Sequence, residues 1–228
     1  MPQTPPPLKP LSQEQAATML ALQASMNARV DPNWVVAKYP YLRAVVIEAA
    51  EAIEHHGWKW WKHQDKDLPQ LQMELIDVWH FILSELLLEN QGEQAESLRQ
   101  LRALLDEAQH KASINFDNQT YRLTELDLLG KLELLIALSV SRRIELSLFA
   151  AIMADCEMDW TELYCQYVGK NVLNFFRQDN GYKQGTYKKL WQGREDNEHL
   201  VEIMAKLDPA DAAFKENIYS ALSESYPA

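Results

Sequence analysis

Four carboxylates stand in two short pairs, Glu48-Ala49-Ala50-Glu51 and Glu74-Leu75-Ile76-Asp77. On a helix, at about 100° per residue, partners three apart fall within roughly 60° of each other on one face. Like charges at that spacing repel by roughly 0.2–0.5 kcal/mol per pair, so no isolated helix gains from them. Their flanks are apolar: Ile47, Ala49 and Ala50 beside the first pair, Leu75, Ile76 and Val78 beside the second. A carboxylate turned toward a core without compensation costs several kcal/mol, and four facing one another cost more. A divalent cation removes that cost. Oxygen-only donors suit Mg²⁺, with Mn²⁺ as a substitute. Few His and no Cys lie nearby, which argues against Zn²⁺. Two readings compete with this one. The first is a solvated acidic helix face. The second is a di-iron centre, for which Asp77-x-x-His80 and Glu107-x-x-His110 supply the Glu-x-x-His spacing in part.

A second group carries the opposite charge. Six bases (Lys170, Arg177, Lys183, Lys188, Lys189, Arg194) face one acid, Asp179, between residues 170 and 194. That segment holds +5, and the rest of the chain −16 against a total of −11. Lys170, Asn174 and Arg177 follow helical spacing and present ammonium, amide and guanidinium on one face, a set that grips phosphate oxygens. Tyr182, Lys183 and Tyr187 sit among Gly181 and Gly185, where backbone has room to approach a phosphate or a loop to close. A solvated basic surface is the alternative. Gln23 and Asn27, one helical turn apart, each offer a donor and an acceptor, which fits the polar edge of a nucleobase, with an ordinary polar helix face as the alternative. Trp61, His80 and Phe81 are candidates for stacking on a base or sugar, with core packing as the alternative.

Helices must position these groups. Ser12 and Gln15 form a capping-box pattern ahead of a helix to about Val30. A second helix is predicted over about 41–56, stopped at Gly57, and a third over about 67–90. These two carry the carboxylate pairs. A more polar helix is predicted over about 93–111, a loop over 112–122, and one long apolar helix over 124–154. Helices over about 159–177 and 195–207 complete the count, with an ordered basic loop between them. Residues 1–11 read as a flexible arm, 12–207 as one domain, and 208–228 as a polar tail. No strand pattern and no internal repeat is apparent, and only 7 Gly occur in 228 residues, so the expected class is an all-α helical bundle.

The bulk numbers narrow the function. Hydrophobic residues make up 47% of the chain, enough for a core. The Pro-rich start has no apolar run of the signal-peptide kind, and no stretch approaches the roughly 20 apolar residues of a membrane span. Two cysteines, Cys156 and Cys165, fit idle thiols in a reducing compartment, so a cytoplasmic protein is expected. A net charge of −11 disfavours nucleic acid as a partner.

ExxE on one helix and ExxD on the next resemble the all-α NTP pyrophosphohydrolase superfamily, which includes the MazG-like enzymes. The wider wording resembles the dimeric dUTPases. It comprises Trp58-Lys59-Trp60-Trp61-Lys62 and Glu74 to Phe81, the block Met19 to Asn27, and Gly169 to Gln178 followed by Gly181 to Tyr187 and Glu195-Asp196-Asn197. The likeness runs in order over about residues 16–200. It implies hydrolysis of dUTP, and of dUDP, to dUMP, with Glu48, Glu51, Glu74 and Asp77 as Mg²⁺ ligands and catalytic groups, in a homodimer. Long amphipathic helices and seven Trp fit a chain with surface left to bury. Two alternatives stay open. One is a pyrophosphohydrolase of dCTP or an altered nucleotide, which would use the same metal centre. The other is a helical dimerisation module whose carboxylates are surface charge.

Overall fold

A computed structural model describes residues 11–208, 211 and 213–227. The arm expected over 1–11 lies, apart from Leu11, outside the described residues. Ten helices and two small hairpins make up the described chain, which bears out the all-α expectation.

Helix α1 (Gln13–Val30) opens with the capping box read from the sequence: Ser12 Oγ accepts from Gln15 N, and Gln15 Oε1 accepts from Ser12 N. A single turn, α2 (Trp34–Ala37), follows and was not expected; Trp34 anchors it in the core. Helix α3 (Tyr41–His56) ends at Gly57, whose φ of +82° turns the chain in the left-handed region that favours glycine. Helix α4 (Leu68–Glu89) starts at the Asp67 cap, with Pro69 in its first turn.

The buried stripe of α3 is Leu42, Val45, Ala49 and Ala52, spaced three and four apart. Glu48 and Glu51 each precede a stripe residue by one position, which puts them at the edge of the stripe. Helix α4 is different: it is buried on nearly every side from Leu71 to Leu87. Trp79 stacks on Phe149 at 15° and 5.4 Å, and meets Trp160 edge-on at 5.4 Å. Helices α3 and α4 pack along each other, so the edge of one carboxylate helix faces the interior of the other.

Helix α5 (Gln94–Ala108) lies against α1 and α7. The expected loop over 112–122 contains a hairpin, β1 (Ser113–Phe116) with β2 (Gln119–Arg122). Asp117 and Asn118 both take positive φ at its turn, the geometry that joins two strands through two residues. Four-residue strands are too short to leave a clear alternation. The predicted helix over 124–154 is two helices, α6 (Leu128–Val140) and α7 (Leu146–Asp155). Arg142, with φ of +61°, breaks the run, and Arg143 and Glu145 pair across the break.

Helix α8 (Trp160–Asp179) starts from Asp159, which accepts from Thr161 N and Glu162 N. A minimal pair, β3 (Leu190–Trp191) and β4 (Arg194–Glu195), leads into α9 (Asp196–Met204). A Cβ on Gly169 would overlap Met204 Sδ, so glycine there lets α9 close onto α8. The expected polar tail is corrected: α10 (Phe214–Ser225) packs on α8 and α9 through buried Phe214, Ile218 and Leu222. Their i, i+4, i+8 spacing outweighs the polar composition around them.

Candidate active site

Two adjoining cavities share a wall made of Glu48, Asp77, Lys170, Arg177 and Tyr182. The first, of about 430 Å³, is walled by α1, α4, α8 and the chain around Trp34–Tyr41. The second, of about 610 Å³, lies over the facing carboxylates of α3 and α4 and is closed by Lys189 and the start of α9.

Glu48, Glu74 and Asp77 converge, with one oxygen from each inside a 4.8 Å span. Glu74 is buried because α4 is the central helix; Glu48 and Asp77 are half-buried. Glu51 is exposed and stands outside this triplet, on the rim of the same cavity. Glu107 and His110 are exposed beyond it, so the di-iron spacing has no counterpart here. Burial, then the Asp77 charge, pushes Glu48 up to about 7. The same two causes, in that order, push Glu74 up to about 8, while Lys170 acts against them. His55, not singled out in the sequence, places Nε2 3.4 Å from Glu74 Oε1. Its seven-residue spacing from Glu48 puts it on the same face of α3, and that periodicity was the available signal.

The phosphate-type residues divide. Lys170 is 2% exposed, and its Nζ lies 2.9 Å from Asp77 Oδ2 and 3.0 Å from Asn197 Oδ1. It is therefore the internal counter-charge of the carboxylate triplet. Arg177 makes a forked pair with Asp196, 2.8 Å on each arm, and also donates to Asn174 Oδ1 and Asn197 Oδ1. Tyr187 donates to Asp196 Oδ2 at 2.8 Å. Asp196 is fully buried; its burial raises the carboxyl pKa, but Arg177 and Tyr187 win and hold it below the ordinary range. Tyr182 lines both cavities. Lys183 instead donates to Val30 O at 3.0 Å, and Tyr187 stacks on Tyr226; neither lines either of these two cavities. Asp196 and Asn197 carried no role in the sequence reading, although they lie in a motif quoted there.

Gln23, Asn27, His80 and Phe81 all line the first cavity. Trp61 does not: it is exposed and packs edge-on against Trp58 and Trp60. His80 Nδ1 lies 2.7 Å from Gln23 Oε1, and its ring is tilted against Tyr167 at 4.3 Å. Burial pulls His80 down to about 4, so the ring is neutral at physiological pH. Its Nε2 and Asn27 Nδ2 are buried with no hydrogen-bond partner. Buried polar atoms left open are costly, and both residues that carry them line the first cavity.

The triplet's chemistry tests the implied metal. All three donors are carboxylate oxygens, two of them driven toward their neutral forms, and such a set fits a hard divalent cation. The first cavity falls in the usual size range of small-molecule pockets, ~300–1,000 Å³. A polar charged chamber thus adjoins a mostly apolar one.

A family model described as dUTPase matches residues 15–182, from the first turn of α1 to just past α8. The matched span contains both carboxylate pairs, the Gln23–Asn27 turn and the Lys170–Arg177 face. Comparison with curated proteins gives no match. No described helix is long and apolar enough to cross a membrane.

Proposed function

The chain belongs to the all-α dUTPase family, hydrolases of dUTP, and from that premise we propose that it converts dUTP, and dUDP by the same route, to dUMP in an Mg²⁺-dependent reaction. The observation that carries this reading is the shared wall. The carboxylate triplet and a pocket with unpartnered donor and acceptor atoms meet at Glu48, Asp77 and Lys170. A nucleotide bridging the two chambers has its base among Gln23, Asn27, His80 and Phe81, and its phosphates over the carboxylates.

Glu48, Glu74 and Asp77 would hold the cation. The cation supplies Lewis acidity toward phosphate oxygens and makes nearby water more acidic. The chain's own residues do the rest. Lys170 and Arg177 offset phosphate charge at the wall between the chambers, and Asn174 fixes Arg177 from the adjacent turn of α8. Tyr182 lies over both chambers and shields the phosphates from bulk water. Glu51, exposed and outside the triplet, orients the attacking water and accepts its proton. Water oxygen bonds to the α-phosphorus as the bond to the bridging oxygen breaks, and pyrophosphate leaves; with dUDP the leaving group is phosphate. Phe81 lines the first cavity with hydrocarbon. A ribose 2′-hydroxyl placed against such a wall loses its partners, which favours deoxynucleotides.

A homodimer fits the surface. Tyr39, Pro40, Ala44 and Ile47 form an exposed apolar groove with Phe81, at the edge of the base chamber. Apolar surface of that kind favours burial against a second copy.

The decisive experiment incubates the protein and Mg²⁺ with each deoxynucleoside triphosphate and measures pyrophosphate. Fastest release from dUTP is expected. Faster release from dCTP overturns the substrate assignment, and no release from any of them overturns the reaction.

A further inference from the structure

Gln23 lies at the centre of a buried network whose outer members, Ser84 and Tyr167, line neither cavity. Its Oε1 is 2.7 Å from His80 Nδ1 and 2.9 Å from the Tyr167 hydroxyl. Its Nε2 is 3.0 Å from Asn27 Oδ1 and 2.8 Å from Ser84 Oγ. An amide oxygen only accepts and an amide nitrogen only donates. His80 Nδ1 must therefore carry the ring proton, and Nε2 is left as a bare acceptor. Asn27 Oδ1 is taken up by Gln23 and Ser84, so its Nδ2 is left as a donor. Both are among the buried side-chain atoms that have no hydrogen-bond partner among the described residues.

Turning the Gln23 carboxamide by half a revolution reverses both. Nε2 would face His80 Nδ1 and send the ring proton to the other nitrogen. Oε1 would draw in the Asn27 NH₂ and leave its oxygen outward. Uracil presents an N3–H donor beside the O4 acceptor; cytosine presents an N3 acceptor beside an N4–H₂ donor. In one register on the pocket, the described orientation complements uracil and the turned orientation complements cytosine.

Ser84 distinguishes the two orientations. Its hydroxyl hydrogen is directed to acceptors, His80 O at 2.9 Å and Asn27 Oδ1 at 3.2 Å, so toward Gln23 it offers a lone pair, which only Nε2 satisfies. Tyr167 adds a donor on the Oε1 side, its single hydroxyl hydrogen shared between Gln23 Oε1 at 2.9 Å and Met19 O at 3.0 Å. We propose that Ser84 and Tyr167 are positioning residues that hold Gln23 in the orientation that reads uracil, so that base preference is set by side chains that never touch the base. The inference rests on the first cavity being the base pocket.

The test uses Ser84→Ala, with Tyr167→Phe as the second variant should the first fail to fold. Nitrogen-15 NMR of the His80 ring in the ligand-free protein reads the tautomer directly. The wild type should show one tautomer, protonated at Nδ1, and the variants a mixture. The dUTP-to-dCTP ratio of kcat/KM should fall about tenfold, the scale of one net hydrogen bond. A purely structural role would lower Tm and leave both readouts unchanged. A His80 signal unmoved by saturating dUMP overturns the base-pocket reading and the proposal with it. A moved signal, with tautomer and ratio unchanged in the folded variants, overturns the proposal alone.

Discussion

On one side of Lys170 lie Glu48, Glu74 and Asp77; on the other lie Asn197, Asp196 and Arg177. Both groups place charge inside the protein, and they solve the problem differently. Asp196, fully buried, takes two bonds from Arg177 and one from Tyr187, so its carboxylate is more comfortable than in water. The triplet has three carboxylates within 4.8 Å and one ammonium, and two of its members are driven toward protonation. A cluster serving structure is closed within the protein, whereas a cluster serving a ligand is left short of charge. The deficit here is positive charge, and a divalent cation supplies it.

Opposite responses to neutralisation sharpen the contrast. Glu74→Gln should lower kcat/KM by roughly a thousandfold or more, because a cation ligand is lost. Its metal-free Tm should hold or rise, since the amide removes a repulsion. Steady-state kinetics over a Mg²⁺ titration, with a melt in EDTA, checks both; undiminished turnover would place the metal elsewhere. Asp196→Ala should do the reverse to stability. Arg177 is left buried without its partner, at a cost of about 3–5 kcal/mol, a fall of roughly 10 °C in Tm. A melt within a degree or two of wild type would mean that the forked pair contributes little and the contrast fails.

Acidity gives the smallest and most diagnostic effect. Glu48 and Glu74 ionise near 4.5 in the unfolded chain, but at about 7 and about 8 when folded. As pH rises above 4.5 the unfolded chain releases protons that the folded chain still holds, so metal-free stability falls between about pH 5 and 8. Asp196 has the opposite sign: its folded pKa lies below 3.8, so its contribution is present above that value and is lost only as pH falls beneath it. Melts from pH 5 to 8 in EDTA should therefore decline by several degrees, and saturating Mg²⁺ should flatten the profile. A profile already flat in EDTA would show that the triplet is not short of charge.

Much of this was legible in the chain. The Ser12–Gln15 cap, the stop at Gly57, and the apolar stripes beside Glu48 and Glu74 are all signals between near neighbours, and helical periodicity is a local property. The two carboxylate pairs and the Lys170–Arg177 face stood out by their spacing, whereas the Gln23–Asn27 turn took its meaning from the family resemblance around it. Residues 214–225 carried the same kind of signal in Phe214, Ile218 and Leu222, hidden by the polar residues between them. The hairpin at 113–122 and the break at Arg142 depend on short turns with positive φ, which leave little trace in a hydrophobic pattern.

The sequence by itself therefore determined the helices and which face each presents, because those follow from side chains within one or two turns. Only the tertiary structure decided how those faces meet. It left Glu51 on the rim, gave Lys170 to Asp77, paired Arg177 with Asp196, and left Trp61 outside the lining of both cavities. It also joined Gln23 to His80 and Tyr167, 57 and 144 residues away along the chain. Such partnerships depend on the crossing of α1, α4 and α8, which is set by the packing of whole faces and not by any one residue's neighbours.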